Sequence, residues 1–226
     1  MNPTNDITIL EPAEVRVLGS LVEKAITTPD YYPLSLNALV NACNQSSNRD
    51  PVVEFGEPTV LRAVERLRNL KLVFVFEGAA SRVAKYGQKF SDTLGLSPAE
   101  IAALCVLMLR GPQTVGEIRG RSGRLHEFSG LDEIESTLQS LATRSTQPLV
   151  VKLPRQTGFK ESRYAHLLAG PPETASMETG PAIETPAEVA QADEARIARL
   201  EEEVQGLRRE LAELGTQFAD FRKQLE

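Results

Sequence analysis

Apolar positions along this chain keep a helical period, break into a short strand period, and then do both again. Glu11-Pro12-Ala13-Glu14 marks a helix start, with proline in the first turn and a carboxylate where the N-terminal dipole favours it. Val15, Leu18, Val22 and Ile26 follow at helical spacing until Thr27-Thr28-Pro29 stops the run. After Tyr31-Tyr32-Pro33 a second helix carries Leu36, Leu39, Val40 and Cys43 on one face. A polar stretch, residues 44–50, leads to a third helix with Val60, Leu61, Val64, Leu67 and Leu70. Leu72-Val73-Phe74-Val75-Phe76 then reads as a strand, Glu77-Gly78 begins a turn, and residues 81–86 read as the return strand. Three helices closed by a hairpin is the winged-helix plan, in which the second and third helices form the helix-turn-helix and the hairpin is the wing.

The plan repeats. Leu96-Ser97-Pro98-Ala99-Glu100 answers Leu10-Glu11-Pro12-Ala13-Glu14, and Ile101 and Leu104 answer Val15 and Leu18. Residues 114–119 give a short second helix. Ile134, Leu138 and Leu141 match Val60, Val64 and Leu67 at a constant offset of 74 positions. Leu149-Val150-Val151-Lys152-Leu153 supplies a strand, and Ser162-Arg163-Tyr164-Ala165 matches Ser81-Arg82-Val83-Ala84. Matches in the same order at three segments argue for duplication. Each copy is small enough to leave much of its surface wet, so the copies are expected to pack on one another.

The expected class is therefore α+β, mostly helical: two tandem winged-helix domains, residues 8–91 and 95–168, plus a C-terminal coiled-coil helix. Residues 169–188 are rich in Pro, Gly, Ala, Thr and Glu and read as a flexible linker. In residues 189–226, Ile197, Leu200, Val204, Leu207, Leu211, Leu214, Phe218, Phe221 and Leu225 alternate spacings of three and four, the a/d seam of a coiled coil. Arg196 with Glu201, and Glu203 with Arg208, fall at g and following e positions, which are attractive across a parallel homodimer. Gly206 and Gly215 weaken that helix. The other reading of the seam is an amphipathic helix folded back on the globular part.

Charge changes this picture only by locating it. The formal net charge of −6 resolves into −7 from residue 171 onward and +1 before it, so bulk charge neither supports nor opposes nucleic-acid binding by the globular part. No apolar run has the length of a membrane span, and the first ten residues lack a basic and apolar leader pattern. Cys43 and Cys105 sit singly in apolar helical patterns and read as core thiols of a cytoplasmic protein.

Several runs resemble the YceH family of bacterial proteins. They are Arg16-Val17-Leu18-Gly19-Ser20-Leu21-Val22-Glu23-Lys24, Thr27-Thr28-Pro29-Asp30-Tyr31-Tyr32-Pro33-Leu34-Ser35-Leu36-Asn37-Ala38-Leu39 and Ala42-Cys43-Asn44-Gln45-Ser46-Ser47-Asn48-Arg49-Asp50-Pro51. Arg110-Gly111-Pro112-Gln113-Thr114 and Glu161-Ser162-Arg163-Tyr164-Ala165-His166 join them. The resemblance covers nearly all of residues 10–168. It implies a tandem winged-helix fold and brings no catalytic or ligand-binding residues with it.

No phosphate-binding glycine motif, HExxH run or zinc-spaced Cys/His set occurs. A Cys105/His166 nucleophile pair is conceivable, but Cys105 lies in a buried-helix pattern, and a catalytic thiol needs exposure in an electropositive setting. The chain reads as a non-enzyme without cofactors. The leading functional reading is duplex nucleic-acid binding by the first copy. With Val60, Leu61, Val64 and Leu67 inward, Arg62, Arg66 and Asn69 face out, and the wing adds Arg82, Lys85 and Lys89. The plain alternative is a charged solvent face in which Glu65 pairs with Arg62 or Arg68. The polar loops contribute Arg49, and Arg121 with Arg124, either as helix-capping segments or as a surface for an anionic partner. The third helix of the second copy opens Leu131-Asp132-Glu133-Ile134-Glu135, whose carboxylates repel phosphate. The rival class is a protein-docking scaffold of the kind found in chromosome-condensing complexes, with no direct DNA contact.

Overall fold

The computed structural model describes residues 9–77, 83–155 and 161–172. Arg82 and all of the coiled-coil positions from Ile197 to Leu225 lie outside the described residues, as does the linker beyond residue 172. The described chain is mixed α+β and about half helical. In order it forms α1 (Pro12–Thr27), β1 (Leu34–Ser35), α2 (Leu36–Cys43), α3 (Glu57–Asn69), β2 (Val73–Phe76) and β3 (Lys85–Gln88). After these come α4 (Phe90–Leu94), α5 (Pro98–Arg110), α6 (Val115–Ser122), α7 (Leu131–Ala142), β4 (Val150–Lys152) and β5 (Tyr164–His166). No helix among the described residues is long and apolar enough to cross a membrane.

The two halves begin in the same way. Glu14 Oε2 accepts the Glu11 backbone N–H at 2.9 Å, and Glu100 Oε2 accepts that of Ser97 at 2.9 Å. Both contacts satisfy a donor that helix geometry leaves free at the N-terminus. Each second helix opens on a hydroxyl cap: Ser35 Oγ accepts the Ala38 N–H and Thr114 Oγ1 the Glu117 N–H. The residue before each cap meets the tyrosine of the closing hairpin. Leu34 pairs with Tyr86 in the antiparallel order β1-β3-β2, and Gln113 exchanges two backbone hydrogen bonds with Tyr164.

In α3, Val60, Val64 and Leu67 are buried, and Ile134, Leu138 and Leu141 are their buried counterparts in α7. The first hairpin pairs Val73 with Gln88 and Phe76 with Lys85; the second pairs Val150 with His166 and Lys152 with Tyr164.

Several boundaries differ from expectation. β3 starts at Lys85 rather than residue 81, and α6 continues to Ser122 rather than stopping at 119. The last turn of α6 holds Arg119 and Arg121, cations that favour the negative end of the helix dipole. β1 and α4 were not legible. Two residues are too few to show a strand period, and α4 offers only one fully buried side chain, Phe90, before Gly95 ends it in a left-handed conformation with φ 61°.

The core joins the two halves. One continuous apolar cluster runs from Leu10 to Leu168 through both of them. The cause is the pair α1 and α5. Val15, Val17, Leu18, Leu21 and Val22 are all buried, so α1 presents apolar groups on more than one face. It packs on α2 and α3 and also on α5, in which every residue from Ile101 to Leu109 is buried. Each Val, Leu, Ile or Met side chain buried there is stabilised by ~1.5–3 kcal/mol relative to exposure, before ordering costs.

Polar groups are enclosed beside this joint. Arg49, on the loop after α2, has a fully buried side chain that donates to Glu23 Oε1 at 3.1 Å and Oε2 at 2.7 Å, and to the Ala42 carbonyl at 2.8 Å. The same loop reaches across to α5, where the Asp50 N–H donates to the Leu109 carbonyl at 2.8 Å. Arg16, buried in α1, donates to the Cys43 and Pro51 carbonyls at 3.3 and 2.6 Å. Burial, followed by the nearby Arg49 charge, lowers its pKa.

Candidate nucleic-acid interface

α3 starts cleanly because Pro58 fits the first turn after Gly56, and its apolar stripe of Val60, Val64 and Leu67 fixes which face turns inward. The outward face then carries Arg62, Glu65, Arg68 and Asn69, all exposed, with exposed Lys71 just beyond the helix. Arg62 and Arg68 form no side-chain hydrogen bond or ion pair among the described residues, so the pairing with Glu65 that would neutralise this face is not made. Lys85 is half-buried at the start of β3, and Lys89 is exposed at its end.

Two predicted cations are placed differently. Arg66 turns toward α1, where Nη1 meets Glu11 Oε1 at 3.0 Å and Nε meets buried Glu14 Oε1 at 3.2 Å. Its Nη2 donates to the Ile9 carbonyl at 3.4 Å. The residue therefore ties α3 to α1 while remaining half-exposed. Arg49 is enclosed against Glu23, as described above, and offers no surface to an outside partner. Helical spacing distinguished the α3 stripe but could not reveal that a loop arginine finds its carboxylate on α1. The signal available was the apolar character of α1 on more than one face, which forces Glu23 and Arg16 toward the interior.

The polar loops are held by their own side chains. Asn44 exchanges amide hydrogen bonds with the Phe55 backbone at 2.8 and 2.9 Å, closing the loop that carries Arg49. In the second half, Glu133 Oε2 accepts from the Ser129 N–H at 2.7 Å and hydroxyl at 2.8 Å, and Oε1 meets His126 Nε2 at 3.3 Å. Those contacts, the Ser129 N–H first, lower the Glu133 pKa. Asp132 and Glu135 stay exposed, and α7 contains no Lys or Arg.

Arg121 and Arg124 are not brought to α3. Together with Lys24 and Arg110 they line a pocket between the two halves, none of whose lining residues belongs to α3 or the β2–β3 hairpin. Arg121 also donates to Gln113 Oε1 and lies 3.6 Å from Glu117.

The cysteine–histidine pair is not formed. Cys105 Sγ, fully buried, contacts the Gly19 carbonyl at 3.6 Å, and burial pushes its thiol pKa up. Cys43 is likewise buried, with its thiol pushed up to about 11 by burial. His166 Nδ1 is enclosed without a hydrogen-bond partner.

A family model described as "Protein of unknown function, DUF480" matches residues 10–159. A UPF0502 protein of Opitutus terrae is 57% identical over 173 residues, covering 76% of this chain and 75% of its own. One from Citrifermentans bemidjiense is 55% identical, covering 86% and 88%. A third, from Solibacter usitatus, is 54% identical over 217 residues, covering 96% of this chain and 98% of the relative. With that identity sustained across most of its length, the chain belongs to the DUF480 family, the YceH-type bacterial group that its motifs resemble.

Proposed function

We propose that this chain is a tandem winged-helix protein that binds duplex nucleic acid through α3 and the β2–β3 hairpin, self-associates through its C-terminal heptads, and performs no catalysis. The observation carrying the nucleic-acid reading is the outward face of α3, where Arg62 and Arg68 are exposed and, among the described residues, unpaired opposite the buried stripe of Val60, Val64 and Leu67. A helix that enters the major groove needs free guanidinium groups on its outer face, and cations on the adjoining wing run along the phosphates. Lys71, Lys85 and Lys89 continue the positive charge from the helix to the hairpin. The acidic α7 gives the second half a different task, because its three carboxylates repel phosphate. The two-residue β1, paired to β3 ahead of the helix pair, supports the winged-helix assignment.

A second reading is a protein-docking scaffold. It is favoured by Phe76 and Val83, two apolar side chains more than half exposed on the hairpin segments. The discriminating experiment is fluorescence anisotropy of a labelled duplex against salt concentration. Under the nucleic-acid reading, log affinity falls linearly and steeply with log salt, and Arg62→Ala with Arg68→Ala weakens binding and flattens the slope by about one to two ions. Arg66 is a poor choice for this test, since its removal also breaks its ion pairs with Glu11 and Glu14. Absence of duplex binding at low salt, with a protein partner lost on Phe76→Ser, would establish the scaffold instead.

A further inference from the structure

The pocket between the two halves has no part in the α3 reading, and its chemistry is distinct. Lys24 comes from α1, Arg110 from the end of α5, Arg121 from α6 and Arg124 from just beyond it; Glu23 is the one carboxylate in the lining. That carboxylate is already engaged by both terminal nitrogens of buried Arg49 and lies 3.7 Å from Lys24. We infer that this pocket is a binding site for a phosphate group, free or carried by a small molecule.

Magnitudes decide against the simplest alternative, that these cations only offset helix dipoles. Lys24, Arg110 and Arg121 do sit in the last turns of α1, α5 and α6. A helix C-terminus carries roughly half a negative charge, so three of them offset less than two of the four lining cations. Glu117, outside the lining, draws on Arg121 at 3.6 Å, and Arg110 donates to the neutral Asn48 Oδ1, so more than one positive charge stays uncompensated in the pocket. The field at Arg110 agrees. Burial first, and then the like charges of Arg121 and Arg49, lower its pKa against the smaller opposing effects of Asp50 and Glu23. Arg124 is exposed and makes no side-chain hydrogen bond or ion pair among the described residues.

Size and geometry specify the anion. The pocket encloses about 110 Å³, less than the ~150 Å³ cavity that holds a benzene ring. A compact group fits, while the rest of a larger ligand extends through the open mouth. Donors reach it from three helices and a loop, an arrangement matched by the three acceptor oxygens of a phosphate monoester better than by the two of a planar carboxylate. Because those donors belong to both halves, an occupant bridges α1 to α6 beside the α1–α5 joint.

The test is calorimetric titration of the full chain, at constant ionic strength, with inorganic phosphate and separately with ribose 5-phosphate. Phosphorus NMR line broadening provides a second readout. Saturable binding to one site per chain is expected, weakened roughly tenfold or more in Arg110→Gln and in Arg124→Gln. Arg124 is exposed, so its variant tests the site even if Arg110→Gln impairs folding. Tighter binding of the sugar phosphate identifies a phosphorylated metabolite as the source; equal or exclusive binding of inorganic phosphate identifies the free ion. Arg62→Ala with Arg68→Ala leaves either titration unchanged, which separates this site from nucleic-acid binding. No saturable heat or broadening with either probe, or affinities unaltered in both pocket variants, would overturn the inference.

Discussion

Gly19 rests its backbone against the side chain of Leu109. A β-carbon at Gly19 would lie 2.9 Å from Leu109 Cδ2 and 3.1 Å from Met108 Cβ, closer than side chains normally approach. The missing side chain lets α1 and α5 come together, and the Cys105 thiol reaches the Gly19 carbonyl in the same contact. Alanine here gains about 1 kcal/mol of helix propensity, which offsets part of the crowding. Valine gains less propensity than alanine and adds two methyl groups to the crowding. Gly19→Val is expected to destabilise the chain by about 2–3 kcal/mol, measured as a lower urea midpoint with an unchanged m-value. A midpoint equal to that of the parent would show that the joint tolerates separation.

The buried pair of Arg49 and Glu23 responds asymmetrically to mutation. Arg49→Met leaves the Glu23 carboxylate with Lys24, 3.7 Å away, in place of its bidentate partner, and should cost about 3 kcal/mol. Adding Glu23→Gln removes the charge that lost that partner, so the double variant should be more stable than Arg49→Met alone. Equilibrium unfolding of the two single variants and the double variant checks this, and strict additivity would contradict it.

On the first hairpin, the Phe74 ring lies directly over Gly87. A β-carbon at Gly87 would fall 2.3 Å from Phe74 Cζ. Gly87→Ala is therefore expected to cost about 1–3 kcal/mol by forcing the ring from its place. Phe74→Leu in the same chain should recover part of that loss. A coupling energy near zero in the double-mutant cycle would show that the ring and the glycine do not constrain each other.

His166 is expected to make the fold acid-sensitive. Burial holds its imidazole pKa down at about 4, whereas an unfolded histidine titrates near ~6.5. The folded value is the lower of the two, so the full stability is present above the unfolded value. It drains away as pH falls toward the folded value, because the unfolded chain takes up a proton that the folded chain refuses. The loss is on the order of 1–3 kcal/mol across that window. His166→Leu should flatten stability against pH there, as read by urea unfolding at neutral and mildly acidic pH. Parallel curves for parent and variant would assign the acid response to other groups.

The parts of the fold visible in the sequence are those set by local period. Val60, Val64 and Leu67, and Ile134, Leu138 and Leu141 seventy-four positions later, announce α3 and α7 because a helical stripe repeats within a few turns. Phe74 and Val75 announce β2 through composition. What stayed hidden depends on distant partners. Arg49 is in a polar loop by its neighbours, yet it is buried because Glu23 waits 26 positions earlier. The phosphate pocket draws Lys24, Arg110, Arg121 and Arg124 from three helices and a loop, and no window along the chain contains them all. Arg66 was placed on the correct helix, but its carboxylate partners on α1 lie more than fifty positions away.

The mutual burial of α1 and α5 has a consequence for how this gene product can be cut. A fragment ending near residue 95 would bare the flank of α1 around Gly19 that Leu109 and Met108 cover, and a fragment starting there would bare the matching flank of α5. Neither piece is a self-sufficient body. Each should clump, or seek a second copy of itself as a stand-in for the absent half, while the two fragments mixed together should reassemble into one soluble complex.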